Sequence, residues 1–267
     1  MNRSKVVIGI FVALILIVIA IVLLACTVFV VREVEVESDV SSELIDADRI
    51  IESSGLNKGR SIISIKKEVV KTTIEKDNPY VEVLSIKRVF PSKVLVNVTV
   101  RKGIMLVASF DNSSYALIDS SMKVLNIVST VEGNRSNATV IKGLTFDMPD
   151  GGALEAVGAK INLSDPICGE YLSDIASLAA DYDLQGRRFF TFFKEISFDK
   201  TEGIVIYVKT NKGVSLVLDN SLSSTIYSQL FYCLTYYSSK DVNIDFTKGY
   251  ICFDKNTNAY VWKETIN

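Results

Sequence analysis

The sequence predicts an α+β protein held on a membrane: an N-terminal transmembrane helix, a small strand-helix-helix-strand-strand unit, and a mainly antiparallel sheet with two helices on one face. Three observations carry this expectation. Val6 to Val31 is a run of 26 residues without one charge. As a helix it reaches about 39 Å, more than the roughly 30 Å of a bilayer core. Behind it, runs of period 2 alternate with runs of period 3.6, separated by Gly, Pro and Asn.

The flanks orient the helix. Arg3 and Lys5 precede it, while Glu33, Glu35, Glu37 and Asp39 follow Arg32. Basic residues favour the cytoplasmic side, so residues 1–5 are expected inside, 6–31 in the membrane, and the rest outside. A cleaved signal peptide has a shorter apolar region ending in small residues. Leu23-Leu24-Ala25-Cys26 resembles a lipoprotein cleavage box, but the apolar run continues through Thr27 to Val31. The alternative of a surface lipoprotein that binds a small ligand would need processing before Cys26.

Composition excludes several functions. The chain is 48% hydrophobic and 22% charged, as a globular protein is. Net charge is −2, which becomes −4 once Arg3 and Lys5 are set aside, so no nucleic acid is expected as a partner. Histidine is absent, which removes the commonest general base and metal ligand. Beyond Cys26 stand Cys168, Cys233 and Cys252, an odd number at wide spacing that supports neither a disulfide framework nor a zinc site.

In chain order, Glu33 to Glu37 alternates with Val34 and Val36 as a strand does. Asp46 is placed to cap a short helix that Gly55 stops. A second helix is expected from about Ser64 to Lys76, with Ile65, Val69 and Thr72 or Thr73 inward, ended by Asn78-Pro79. Val81 to Phe90 and Val94 to Arg101 are strands around Pro91-Ser-Lys, with Val94, Val96, Val98 and Val100 on one side. The first unit is thus 32–101.

The second unit is 102–254, with a tail at 255–267. Val107 to Phe110, Ala116 to Ile118 and Val124 to Ile127 read as short strands, and Asp150-Gly-Gly as a turn. Cys168 to Tyr182 reads as a helix with Tyr171, Ile175, Leu178 and Tyr182 inward. Ile204 to Lys209 and Val214 to Asp219 form a hairpin. Leu222 to Ser239 is a helix with Leu222, Ile226, Leu230, Cys233 and Tyr237 inward. Val242 to Phe246 and Tyr250 to Asp254 close the sheet.

Several motifs dissolve on inspection. Ser64/Lys67, Ser120/Lys123 and Ser197/Lys200 have the Ser-x-x-Lys spacing of penicillin-binding enzymes, but the second and third motifs of those enzymes are missing. With 28 serines and 20 lysines, about two such pairs arise by chance. A cell-wall enzyme would need a nucleophile or metal cluster that the sequence lacks. Asp254-Lys-Asn-Thr-Asn-Ala begins like a calcium loop but has no glycine at its sixth position. Asn97, Asn112, Asn134, Asn137 and Asn162 fit the glycosylation pattern. Arg88, before a proline turn, is read as covering an apolar sheet face with its stem.

Certain segments together carry a resemblance: Ser54-Gly-Leu-x-x-Gly59, Asn78-Pro-Tyr-Val, Ile86-Lys-Arg-Val-Phe-Pro-Ser and Val98-Thr-Val-Arg-Lys-Gly, then Ala116-Leu-Ile-Asp119, Val140-Ile-Lys-Gly-Leu and Ile244-Asp-Phe246. From Arg32 to about Asp254 the chain resembles the FtsQ/DivIB family of bacterial cell-division proteins, a POTRA domain followed by a β domain. It departs from that family's pattern at Tyr80, Val100, Gly103 and Met122, where Trp, Glu, Pro and Gly are frequent.

The resemblance implies a single-pass membrane protein of the division septum with no reaction, cofactor or small-molecule substrate of its own. Its implied partners are FtsL-type and FtsB/DivIC-type division proteins and the septal peptidoglycan synthase complex. It also implies that the C-terminal edge of the β domain receives the partner. That edge would be Phe246, Tyr250, Ile251 and Phe253, with Tyr260 and Trp262 beyond. The tail either extends the edge or folds back and covers it as one more strand.

Overall fold

The computed structural model describes residues 3–56, 58–132, 138–184, 191–239 and 245–265. Among them, two compact units divide at Arg101 and Lys102. The N-terminal helix α1 runs Arg3–Thr27, 25 residues and about 38 Å of axis. From Ile8 to Leu23 its side chains are exposed and apolar. No helix is long and apolar enough to cross a membrane among the described residues. Cys26 lies outside those described side chains.

The helix stops four residues before the apolar run does. Val31 is fully buried, and Phe29 packs against the same core. Strand β1 (Glu33–Ser38) follows, then α2 (Ala47–Ser53), α3 (Lys67–Asp77), β2 (Val81–Val89) and β3 (Lys93–Val100). β3 lies in the middle, antiparallel to β2 and parallel to β1. Val94, Val96 and Val98 face Ile50, Ile74, Val81 and Val83 in one core. Asp46 caps α2 by accepting from Arg49 N at 3.1 Å.

The inward face of α3 differs from the expectation. The helix begins at Lys67, so Ile65, though buried, precedes it and does not set its phase. The buried positions are Val70 and Ile74, with Glu75 beside them, while Val69 is 58% exposed. Glu75 is satisfied inside: one oxygen accepts from Val83 N at 2.9 Å and the other meets Arg101 at 3.1 Å. Arg88 is partly buried and donates to Ile65 O at 2.6 Å, tying the segment before α3 to the sheet.

The second unit is a nine-stranded sheet built from β4 (Met105–Ser109), β5 (Tyr115–Ile118), β6 (Val124–Val128), β7 (Thr139–Phe146), β8 (Phe193–Asp199), β9 (Val205–Thr210), β10 (Ser215–Asp219), β11 (Tyr250–Asp254) and β12 (Ala259–Lys263). The order is β12-β11-β10-β9-β8-β7-β4-β5-β6. Its pairings are antiparallel except β4 with β7, β7 with β8, and β10 with β11. A short helix α4 (Ala153–Ala156) precedes the long α5 (Pro166–Leu184), and α6 (Ile226–Ser238) follows β10. Cys168, Leu172, Ile175 and Ala179 from α5 meet Ile226, Leu230 and Cys233 from α6 in one core with the strands.

The structure differs from the expectations at four places. β7 and β8 join the strands expected: a register shift where β4 meets β7, and the exposed Lys142-Gly143 pair, interrupt the alternation of β7. Tyr171 and Tyr182 are only partly buried, and Leu172 takes the interior place on α5. Leu222 lies in a turn ahead of α6, whose cap is Thr225, accepting from Ser228 N. Of the strand expected over Val242 to Phe246, residues 242–244 lie outside the described residues, as do Asn134 and Asn137. Phe246 itself sits in a turn.

Candidate functional site

At the C-terminal end, β11 is not an edge. It pairs with β10 over only two residues, Ser215 with Tyr250 and Leu216 with Ile251, and with β12 over five. The tail therefore folds back, and β12 is the outer strand among the described residues. The turn between them is local chemistry: Asp254 accepts from Asn256 N at 3.0 Å, and Asn258 takes a positive φ of 52°.

Glycines admit this hairpin. Gly213 has φ +124°, and a Cβ there would lie 2.0 Å from Thr247 O. Gly249 has φ +83°, and a Cβ there would meet Lys263 O at 2.6 Å. Both let the chain from Asp245 to Tyr250 press against β10 and β12.

Period 2 divides the aromatic side chains between two faces. Phe253 stands opposite Tyr260, and Ile251 opposite Trp262. These four share the α6 side, where Tyr232 stacks on Tyr260 at 5.7 Å and Phe253 meets Tyr260 edge-on at 5.5 Å. Tyr250 and Cys252 point the other way, with Val261 and Lys263. There Tyr250 meets Tyr207 at 6.3 Å, and Val205, Tyr207, Val217, Cys252 and Lys263 line a groove of about 240 Å³.

The six residues expected at the edge thus separate. Tyr260 and Trp262 are on it and Phe253 adjoins it. Ile251 is fully buried, Tyr250 faces away, and Phe246 packs on Tyr237 at 4.9 Å while its carbonyl accepts from Val214 N. Phe231 and Tyr232, 43% and 52% exposed on α6 beside Tyr260, belong to the same surface and escaped the sequence reading. The signal was present: Tyr232 and Tyr236 lie four apart on one helical face.

The edge itself is partly occupied. Trp262 N donates to the Tyr236 hydroxyl at 3.3 Å instead of to β11. In an antiparallel pair alternate residues turn their backbone groups outward, so Tyr260 and Trp262 are the outward-facing pair. The indole N–H of Trp262 donates to Lys248 O at 3.1 Å, and Lys248 is paired with Glu264. Burial pushes the Tyr260 phenol up to about 12 and raises the thiols of Cys233 and Cys252.

Elsewhere, residues singled out by pattern hold structure. Asp119 is buried and accepts from Ser121 N, Ser121 Oγ and Lys123 N, closing the β5–β6 turn. Met122 in that turn has φ +66°, a conformation suited to the glycine frequent there in the family it resembles. Ser197 Oγ donates to Glu195 at 2.9 Å while Lys200 pairs with Asp165 at 3.2 Å. Among the described residues no His, Cys, Asp and Glu gather as metal ligands would. Asn97 donates to Ser85 Oγ within its sheet.

Comparison with known proteins adds two findings. Residues 29–101 match the family model described as POTRA domain, FtsQ-type. Over 196 residues the chain is 24% identical to the cell division protein DivIB of Clostridium acetobutylicum, covering 73% of this chain and 76% of that relative.

Proposed function

We infer that the chain is a cell-division protein of the FtsQ/DivIB type that acts by binding, as a scaffold at the division septum; the POTRA match over residues 29–101 and the likeness to DivIB support this. It links FtsL-type and FtsB/DivIC-type proteins to the septal peptidoglycan synthase complex. It catalyses no reaction itself. α1 is its membrane anchor: its uncharged part, Val6–Thr27, reaches about 33 Å, enough for a bilayer core, and the basic flank keeps the N-terminus cytoplasmic.

One observation carries the placement of the partner. β12 is an outer strand whose outward backbone belongs to Tyr260 and Trp262, flanked by the exposed rings of Phe231 and Tyr232. A partner segment can add one more strand there, with backbone pairing fixing its register and the rings supplying pockets. Calorimetric titration of the detergent-solubilised chain with an FtsB/DivIC-type partner tests it. Tyr260→Ala and Phe253→Ala are each expected to weaken capture by about 1–3 kcal/mol. Arg88→Ala, in the other unit, is expected to leave it unchanged. Full-strength binding by both edge variants, with unchanged melting, places the contact elsewhere.

A further inference from the structure

Where the chain leaves α1, two segments of the first unit surround it. Val31 N donates to Arg60 O, Gly59 N to Val31 O, and Ile62 N to Phe29 O, each at 2.8–3.0 Å. On the other side Arg32 N donates to Ser92 O at 2.9 Å, and the rings of Phe29 and Phe90 meet edge-on at 5.9 Å. Residues 58–67 and 87–93 are therefore anchored within a few residues of the end of the apolar helix.

Both segments have an unusual surface. Residues 32–101 contain twelve acidic and twelve basic side chains, a balance of zero. Seven of the twelve basic ones fall in these two segments, Lys58, Arg60, Lys66 and Lys67 in the first and Lys87, Arg88 and Lys93 in the second, with no acid in either. Arg88 is held by Ile65 O, and Lys93 by Glu33 and Glu35. Lys58, Arg60, Lys66, Lys67 and Lys87 are exposed. Among these charges stand apolar side chains open to solvent: Phe90 at 58%, Ile63 at 55% and Val89 at 44%.

We propose that this face of the first unit docks on the bilayer surface, its basic side chains against anionic lipid headgroups and Ile63, Val89 and Phe90 in the interface. The docking rests on α1 being membrane-spanning, because that puts both segments at the level of the headgroups. Clustered Lys and Arg next to a membrane span are each drawn to anionic lipid, and apolar side chains among them add burial at the interface. The acids of the unit lie outside the two segments, on β1, α2, α3, β2 and the stretch between β1 and α2, and Glu33 and Glu35 are held by Lys93.

The full chain reconstituted in phosphatidylcholine vesicles, with and without phosphatidylglycerol, tests this. Trp262 is the only tryptophan, so in a Trp262→Phe background a new one reports its own surroundings. Lipids brominated near the glycerol quench it on contact. Ile63→Trp and Phe90→Trp should lose emission, more so with phosphatidylglycerol, while Leu84→Trp, exposed on β2 outside both segments, should not. A further Lys66→Gln should lower the ratio of docked to undocked molecules about fivefold, the equivalent of about 1 kcal/mol per basic side chain.

Leu16→Trp, near the middle of α1 and probed with lipids brominated at the ends of their acyl chains, separates the two readings. If it is quenched and positions 63 and 90 are not, the span stands and the docking is overturned, leaving the face to a protein partner. If positions 63 and 90 are quenched while Leu16→Trp is not, the docking stands and the span falls. Equal quenching with and without phosphatidylglycerol overturns the assignment to anionic lipid.

Discussion

At Trp262 the backbone N–H that an added strand would need already bonds the Tyr236 hydroxyl. Tyr236→Phe removes that competitor and keeps the ring. It is expected to tighten partner capture by about 0.5–1.5 kcal/mol, one net hydrogen bond, in the same titration. Unchanged or weaker capture would mean that the incoming strand makes no use of that N–H. Tyr236 is legible in the sequence only as one of several tyrosines on α6, because its role depends on a strand 26 residues later. Cys168 is a different case, since burial pushes its thiol up to about 11. At about pH 8 only about one such thiol in a thousand is ionised, so iodoacetamide should label it slowly until the chain unfolds. Rapid labelling of the folded chain would contradict its place in the core.

The elements respond to phase and close approach. Because α3 starts at Lys67, Val70→Ala should cost about 1–3 kcal/mol of stability, whereas Val69→Ala should stay within about 0.5 kcal/mol, both by denaturant melts. The reverse order would restore the face expected from Ile65. The hairpin of β11 and β12 joins the sheet through a two-residue pairing with β10 and through rings on α6. Gly213→Ala would drive a methyl into Thr247 O, and hydrogen exchange should then speed up across residues 245–263 before the rest of the sheet. Tyr260 adds a pH signature, its phenol raised by burial from 10.0 to about 12. A raised value means a contribution present below pH 10 and lost as pH rises through about 12. The hairpin should therefore loosen over that window, and Tyr260→Phe should remove that step.

Over the whole molecule, the flanks of one apolar run set the expected topology. A reporter active only outside the cytoplasm, fused after Asn267, should be active, and activity only from a cytoplasmic reporter there would invert the arrangement. The family resemblance was legible in short segments such as Asn78-Pro-Tyr-Val and Ala116-Leu-Ile-Asp119, because turns and caps need particular residue types at particular places. The same holds for most elements, since periods of 2 and 3.6 are written locally along the chain. By itself the sequence determined the apolar helix, the valine strands β2 and β3, and the hairpin of β9 and β10. Only the tertiary structure decided which strand lies outermost, that Tyr250 and Tyr260 face opposite ways, and that Phe231 and Tyr232 join the same surface as Tyr260. The reason is physical: strand order and neighbours across a sheet come from pairing between residues distant in sequence, and no local pattern records which partner a strand will take.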